Sequence, residues 1–134
     1  LYALDMKSGE FLWKQPAPTD VCEGRAFCHP GISQAVTAAP GLVMAGAMDG
    51  VLRIHDAEDG LVLWQFDTTQ TLTALSGAAT RGGSLGGGAG PVSGNGMLYV
   101  SSGYGLYFHM PGNALLAFGP PLQPNEQSIT GGEQ

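Results

Sequence analysis

Charge is scarce in this chain, and positive charge scarcest: five Lys and Arg stand against eleven Asp and Glu, for a formal net charge of −6 over 134 residues. With no basic patch to release counterions from phosphates, nucleic acid is excluded as a partner. Long apolar runs are missing as well. None approaches the roughly 20 residues of a membrane span, and no basic amphipathic helix is visible, so no membrane span is expected. No Ser-His-Asp order and no close carboxylate pair stands out, which leaves triad and two-carboxylate hydrolysis without candidates. No signal peptide is present either. The chain opens at Leu1, without Met, inside what reads as a strand, so any targeting segment is expected upstream.

Glycine and proline fill the space that charge leaves. Gly 22 and Pro 9 accompany 43% apolar residues, while charged residues make up 12%. Glycine at this level with few apolar residues would indicate disorder; with many, it indicates short strands joined by tight turns.

A repeat organises those strands. Leu1-Tyr2-Ala3-Leu4-Asp5-Met6-Lys7-Ser8-Gly9-Glu10-Phe11-Leu12-Trp13 returns 51 residues later as Leu52 to Trp64, with Leu, Asp, Gly and Trp in register. A degenerate third copy runs from Leu115 to Gly119, set back by an insertion around Tyr104 to Met110. Leu52, Ile54, Leu61 and Leu63 keep a period of two, the mark of a strand with one buried face. Between the strands, Asp5 and Asp56 read as turn-makers, and Gly9 and Gly60 supply positive φ. Four short strands in about 50 residues is the unit of a propeller blade. The fold class expected is therefore all-β, made of four-stranded antiparallel blades of a β-propeller. Strands are expected near 1–5, 10–14, 35–38, 42–47, 51–56, 61–66, 90–93, 97–102 and 113–118, with no long helix. Trp13 and Trp64 read as packing between neighbouring blades, their indole N–H groups satisfied by backbone. His55, on a strand, reads as a packed histidine.

The pattern Ala3 to Trp13, repeated at Ile54 to Trp64, resembles the tryptophan-docking repeat of quinoprotein propellers. That repeat also occurs in a propeller lipoprotein of outer-membrane assembly and in sensor domains without quinone. More specifically, Met48-Asp49-Gly50-Val51-Leu52-Arg53, Trp64-Gln65-Phe66-Asp67-Thr68, Gly82-Gly83-Ser84-Leu85, Gly103-Tyr104-Gly105 and Pro111 to Phe118 are similar to the C-terminal part of polyvinyl-alcohol dehydrogenases. The likeness covers residues 1–118, expected to be the C-terminal blades, and leaves 119–134 as a polar tail expected to be disordered. It implies an eight-bladed propeller in a periplasmic or secreted quinoprotein, an oxidoreductase that oxidises small or polymeric alcohols with pyrroloquinoline quinone and Ca²⁺. A cytochrome c electron acceptor is a further partner to expect. The Ca²⁺ ligands and the general base have no assignable motif here, and the fragment alone is not expected to be active. The alternative is a non-catalytic propeller scaffold for protein–protein interaction in the cell envelope.

Two stretches carry candidate sites. Cys22 and Cys28 flank Glu23 to Phe27. Haem attachment needs Cys-x-x-Cys-His, and position 25 is Arg, so spacing excludes it. Zinc would lack a fourth ligand beside Cys22, Cys28 and His29. A loop disulfide and two free thiols remain, and likeness to exported proteins favours the disulfide. The second stretch starts at Arg81, the only charged residue between Thr68 and Asn125, and continues through Gly82, Gly83, Ser84 and Leu85 into a glycine run. By composition that run is a flexible linker. The resemblance instead puts Arg81, Gly82, Gly83 and Ser84 at the cofactor, where a guanidinium suits a carboxylate or an ortho-quinone oxygen. No Lys-(Ser/Thr) closes the run and no helix follows, so it is not a phosphate loop. Tyr104, Tyr107, Phe108 and His109 lie in the third copy's insertion, open to a binding role or to folding back on their own blade.

Overall fold

A computed structural model of the chain describes residues 1–120. Among them there is no helix, and the strands form four antiparallel sheets joined by turns and irregular loops. The first sheet pairs β1 (Tyr2–Leu4) with β2 (Phe11–Lys14). The second is a four-stranded meander of β3 (Thr37–Ala39), β4 (Leu42–Gly46), β5 (Val51–Asp56) and β6 (Val62–Asp67). A hairpin of β7 (Thr71–Thr73) and β8 (Ala79–Arg81) follows, and then a three-stranded sheet of β9 (Val92–Gly94), β10 (Met97–Ser102) and β11 (Ala114–Phe118). All nine strands expected from the repeat are present within two residues of their expected bounds. The β7–β8 hairpin was not foreseen. Of the expected tail, Gly119 and Pro120 follow β11 outside any strand, and 121–134 lie outside the described residues.

The repeat's turn chemistry is visible atom by atom. Asp5 Oδ1 accepts the N–H groups of Ser8 and Lys7 at 2.8 and 2.9 Å, and Asp56 Oδ1 accepts that of Glu58 at 2.7 Å. Those two N–H bonds, Ser8's foremost, hold the Asp5 carboxyl below its ordinary value. Gly60 turns with φ +78, and a Cβ there would also sit 2.7 Å from Trp13 Cδ2. Trp13 thus packs flat on the next blade's hairpin, its Nε1–H donating to the Ala57 carbonyl at 3.0 Å. Trp64 takes the same place against the β9–β11 sheet but by ring contacts, 5.2 Å and edge-on to Phe118 and stacked on Phe66. The backbone bond expected for its indole is absent among the described residues. The position equivalent to Ala57 falls at Pro120, the last of them. His55 is buried, with Nδ1 3.0 Å from the Gly60 carbonyl, a packed histidine as expected.

The core lies between the β3–β6 sheet and the β9–β11 sheet. Met44 and Leu52 meet Leu98 and Val100 there, with Leu85 inserted from the glycine run. Leu85 is fully buried. Burying a leucine contributes about 1.5–3 kcal/mol, so the run is anchored and not a free linker.

Meander topology sorts the connections to two ends. Residues 5–10, 40–41, 57–61 and 95–96 are tight hairpin turns at one end, Asn95-Gly96 having the paired positive φ of a primed turn. Residues 15–36, 47–50, 68–91 and 103–113 all emerge at the other. That end is the connector face.

Candidate functional site

The connector face is a knit of backbone. The Met48 N–H donates to the Gly31 carbonyl at 2.9 Å, Leu85 to Ala47 at 3.0 Å, Thr68 to Gly50 at 2.9 Å and Gly82 to Thr68 at 2.9 Å. Ser84 is the hub. Its N–H donates to the Met110 carbonyl, its carbonyl accepts from Gly103, and its hydroxyl donates to the Met48 carbonyl at 2.7 Å while accepting from the Met110 N–H at 2.8 Å. Below it, the fully buried hydroxyls of Thr68 and Ser102 lie 2.7 Å apart, against the carbonyls of Gly50 and Gly83. Buried hydroxyls satisfied this completely fix the loops relative to one another.

Packing explains why Gly83 is glycine. A Cβ there would sit 2.7 Å from the Pro111 carbonyl oxygen, closer than side-chain atoms come. Two stretches of backbone touch, Gly82-Gly83 against Met110 to Gly112, and only glycine permits the approach.

Arg81 ends β8 at the rim of this knit. Asn113 grips its backbone, donating its N–H to the Arg81 carbonyl at 2.9 Å, and the Asn113 side-chain oxygen also accepts from the Thr80 hydroxyl at 2.8 Å. The Arg81 side chain is exposed and has no hydrogen bond or ion pair among the described residues. Of the four sequence candidates, then, the structure gathers Gly82, Gly83 and Ser84 into one buried corner and stands Arg81 beside it.

Cys22 and Cys28 are joined in a disulfide, with Cα atoms 5.3 Å apart. Between them sits a residue that sequence reasoning passed over. Arg25 donates to the Val21 carbonyl at 3.3 Å, to Thr69 Oγ1 at 3.0 Å and to Met110 Sδ at 3.6 Å, so the closed loop braces two other connections. For so short a loop, closure is expected to contribute about 2 kcal/mol. Thiol labelling of the denatured, unreduced full-length protein should find neither Cys22 nor Cys28 free; labelling at both would refute the bond.

Also unforeseen is a buried ion pair. Asp49, fully buried, takes Arg53 in a fork at 2.7 and 3.3 Å and accepts the Val51 N–H at 2.9 Å. Arg53 borders a cavity of about 600 Å³ lined also by Tyr2, Gln15, Val21, Ala45 and His55. That cavity opens between the first two sheets, away from the Arg81 corner. No three His, Cys, Asp or Glu side chains converge on a cation among the described residues.

Small antiparallel sheets docked on one another through Trp13 and Trp64, with every long connection at one end, are blades of a β-propeller. Residues 1–82 match the PQQ_2 family, described as outer membrane protein assembly factor BamB, and the chain belongs to that family. Among individual proteins it is similar to a polyvinylalcohol dehydrogenase of Pseudomonas sp., 43% identical over 128 residues that cover 88% of this chain and 20% of that protein. A polyvinylalcohol dehydrogenase of Sphingopyxis sp. (strain 113P3) is 43% identical over 78% of this chain and 16% of its own length. The quinohemoprotein alcohol dehydrogenase ADH-IIG of Pseudomonas putida is 32% identical over 51% of this chain and 10% of its length. The chain spans a fifth or less of each of these relatives.

Proposed function

We propose that the chain is part of a quinoprotein alcohol dehydrogenase that oxidises small or polymeric alcohols, with its connector face as one wall of the site. The observation that carries this reading is 43% identity to two polyvinylalcohol dehydrogenases over most of the chain. Pyrroloquinoline quinone, when bound, supplies the ortho-quinone that takes two electrons from the alcohol. The residues present suit it in part. Arg81 offers an exposed guanidinium free to meet a carboxylate or quinone oxygen. Gly82, Gly83 and Ser84 have their faces and hydroxyl engaged by the chain's own backbone. Their part is to hold the Arg81 strand end in place. A Ca²⁺ ion would draw ligands from outside the described residues. The disulfide fits an oxidising compartment, periplasmic or extracellular.

The test uses the full-length protein. Added pyrroloquinoline quinone should confer alcohol-dependent reduction of an electron-accepting dye, and omitting it should abolish the activity. A well-folded protein that neither binds the quinone nor oxidises any alcohol would establish the scaffold reading, to which the name of the matched family lends support.

A further inference from the structure

Four large apolar side chains stand out from one short stretch of the connector face. Tyr104 is 61% exposed, Leu106 73%, Tyr107 87% and Phe108 83%. They occupy the β10–β11 connection, whose base is closed: the Gly103 N–H donates to the Ser84 carbonyl at 3.0 Å and the Gly112 N–H to the Gly103 carbonyl at 3.1 Å. Of the insertion's four candidates, only His109 folds back. Its Nδ1 meets the Leu106 carbonyl and its Nε2 lies 3.5 Å from Ser33 Oγ. Tyr107 and Phe108 adopt φ of +49 and +55, a left-handed backbone that bulky residues avoid. Nothing in the described chain offsets that cost, because neither ring is buried. A rigid base that displays strained aromatic residues is the form of a contact surface.

Its chemistry narrows the occupant. No charged side chain occurs in the sequence between Arg81 and Glu126. The loop therefore has no charge with which to steer an anionic substrate or a charged redox protein. Ring faces suit methylene groups, and the Tyr104 and Tyr107 phenols suit hydroxyls. Both ends of the loop also reach the proposed cofactor corner, through Gly103 on Ser84 and Asn113 on Arg81.

We propose that the loop from Gly103 to Gly112 is a docking surface for a neutral chain of alternating methylene and hydroxyl-bearing carbons, guiding a polymeric alcohol toward the connector face. This rests on the alcohol dehydrogenase reading above, and the test separates the two. The variant is Tyr107→Asn together with Phe108→Asn in the full-length, quinone-loaded protein, since asparagine tolerates left-handed φ and the fold should be kept. The ratio of kcat/KM for poly(vinyl alcohol) to kcat/KM for 2,4-pentanediol should fall about tenfold, the size of two aromatic contacts. Retention of fluorescently labelled poly(vinyl alcohol) by quinone-free protein should weaken by a similar factor. An unchanged ratio with unchanged retention would overturn the docking surface. So would a loss seen only with a cytochrome acceptor and not with a dye, which would assign the loop to electron transfer. Should the protein oxidise no alcohol yet retain the polymer through these two residues, the docking surface stands and the dehydrogenase reading falls.

Discussion

In the full-length protein, Arg81→Ala is expected to weaken pyrroloquinoline quinone binding by about 10- to 150-fold, because a charged hydrogen bond is worth about 1.5–3 kcal/mol. Arg81 is the sole charge in a long neutral stretch, its backbone is gripped by Asn113, and its guanidinium has no partner among the described residues. Such a held but unpaired cation at the rim of the face is free to take an anionic ligand. Arg81→Lys should recover only part of the affinity, since an ammonium lacks the planar fork. If Arg81 pairs instead with a carboxylate elsewhere in the complete propeller, stability would fall and quinone affinity per folded molecule would not. Titrating the apo variant with quinone separates these outcomes. Unchanged affinity and turnover in a folded Arg81→Ala protein would remove the residue from the site.

A second large effect is expected at the turn before β5. Asp49→Ala leaves Arg53, a residue only 9% exposed, without its carboxylate and deprives the Val51 N–H of its acceptor. Breaking a buried pair from one side costs about 3–5 kcal/mol, so the urea midpoint of the full-length protein should drop substantially. Asp49→Asn keeps an acceptor for Val51 and should cost less. Adding Arg53→Met to Asp49→Asn should recover stability relative to Asp49→Ala, because no charge is then left buried. A loss of under about 1 kcal/mol in Asp49→Ala would show that water reaches Arg53 freely.

The distribution of these residues along the chain explains which of them sequence reading could find. Trp13 and Gly60 were legible because the repeat states them twice: the same Asp, Gly and Trp at the same offset mean the same hairpin docked on the same neighbour. The β7–β8 hairpin was not. Thr71-Leu72-Thr73 holds a single apolar residue, too little for a period of two to register. Asp49 reads as one more turn aspartate, since its spacing to Arg53 is unremarkable within a hairpin, and burial alone makes the two an ion pair. The Arg81 to Gly90 run reads as a linker by composition, and the resemblance to quinoproteins, not the residues themselves, pointed to a site there.

The sequence by itself determined the all-β class, the positions of every strand but β7 and β8, the hairpin turns and the inter-blade tryptophans, because each of these follows from local spacing. Only the tertiary structure decided what the connector face is. Arg25 meets Thr69 and Met110 from 44 and 85 positions away, and Gly83 meets the backbone of Met110 and Pro111. Contacts of that range depend on how blades stack, which no window along the chain contains. They are also what turn a glycine-rich run into a buried corner with one arginine at its edge.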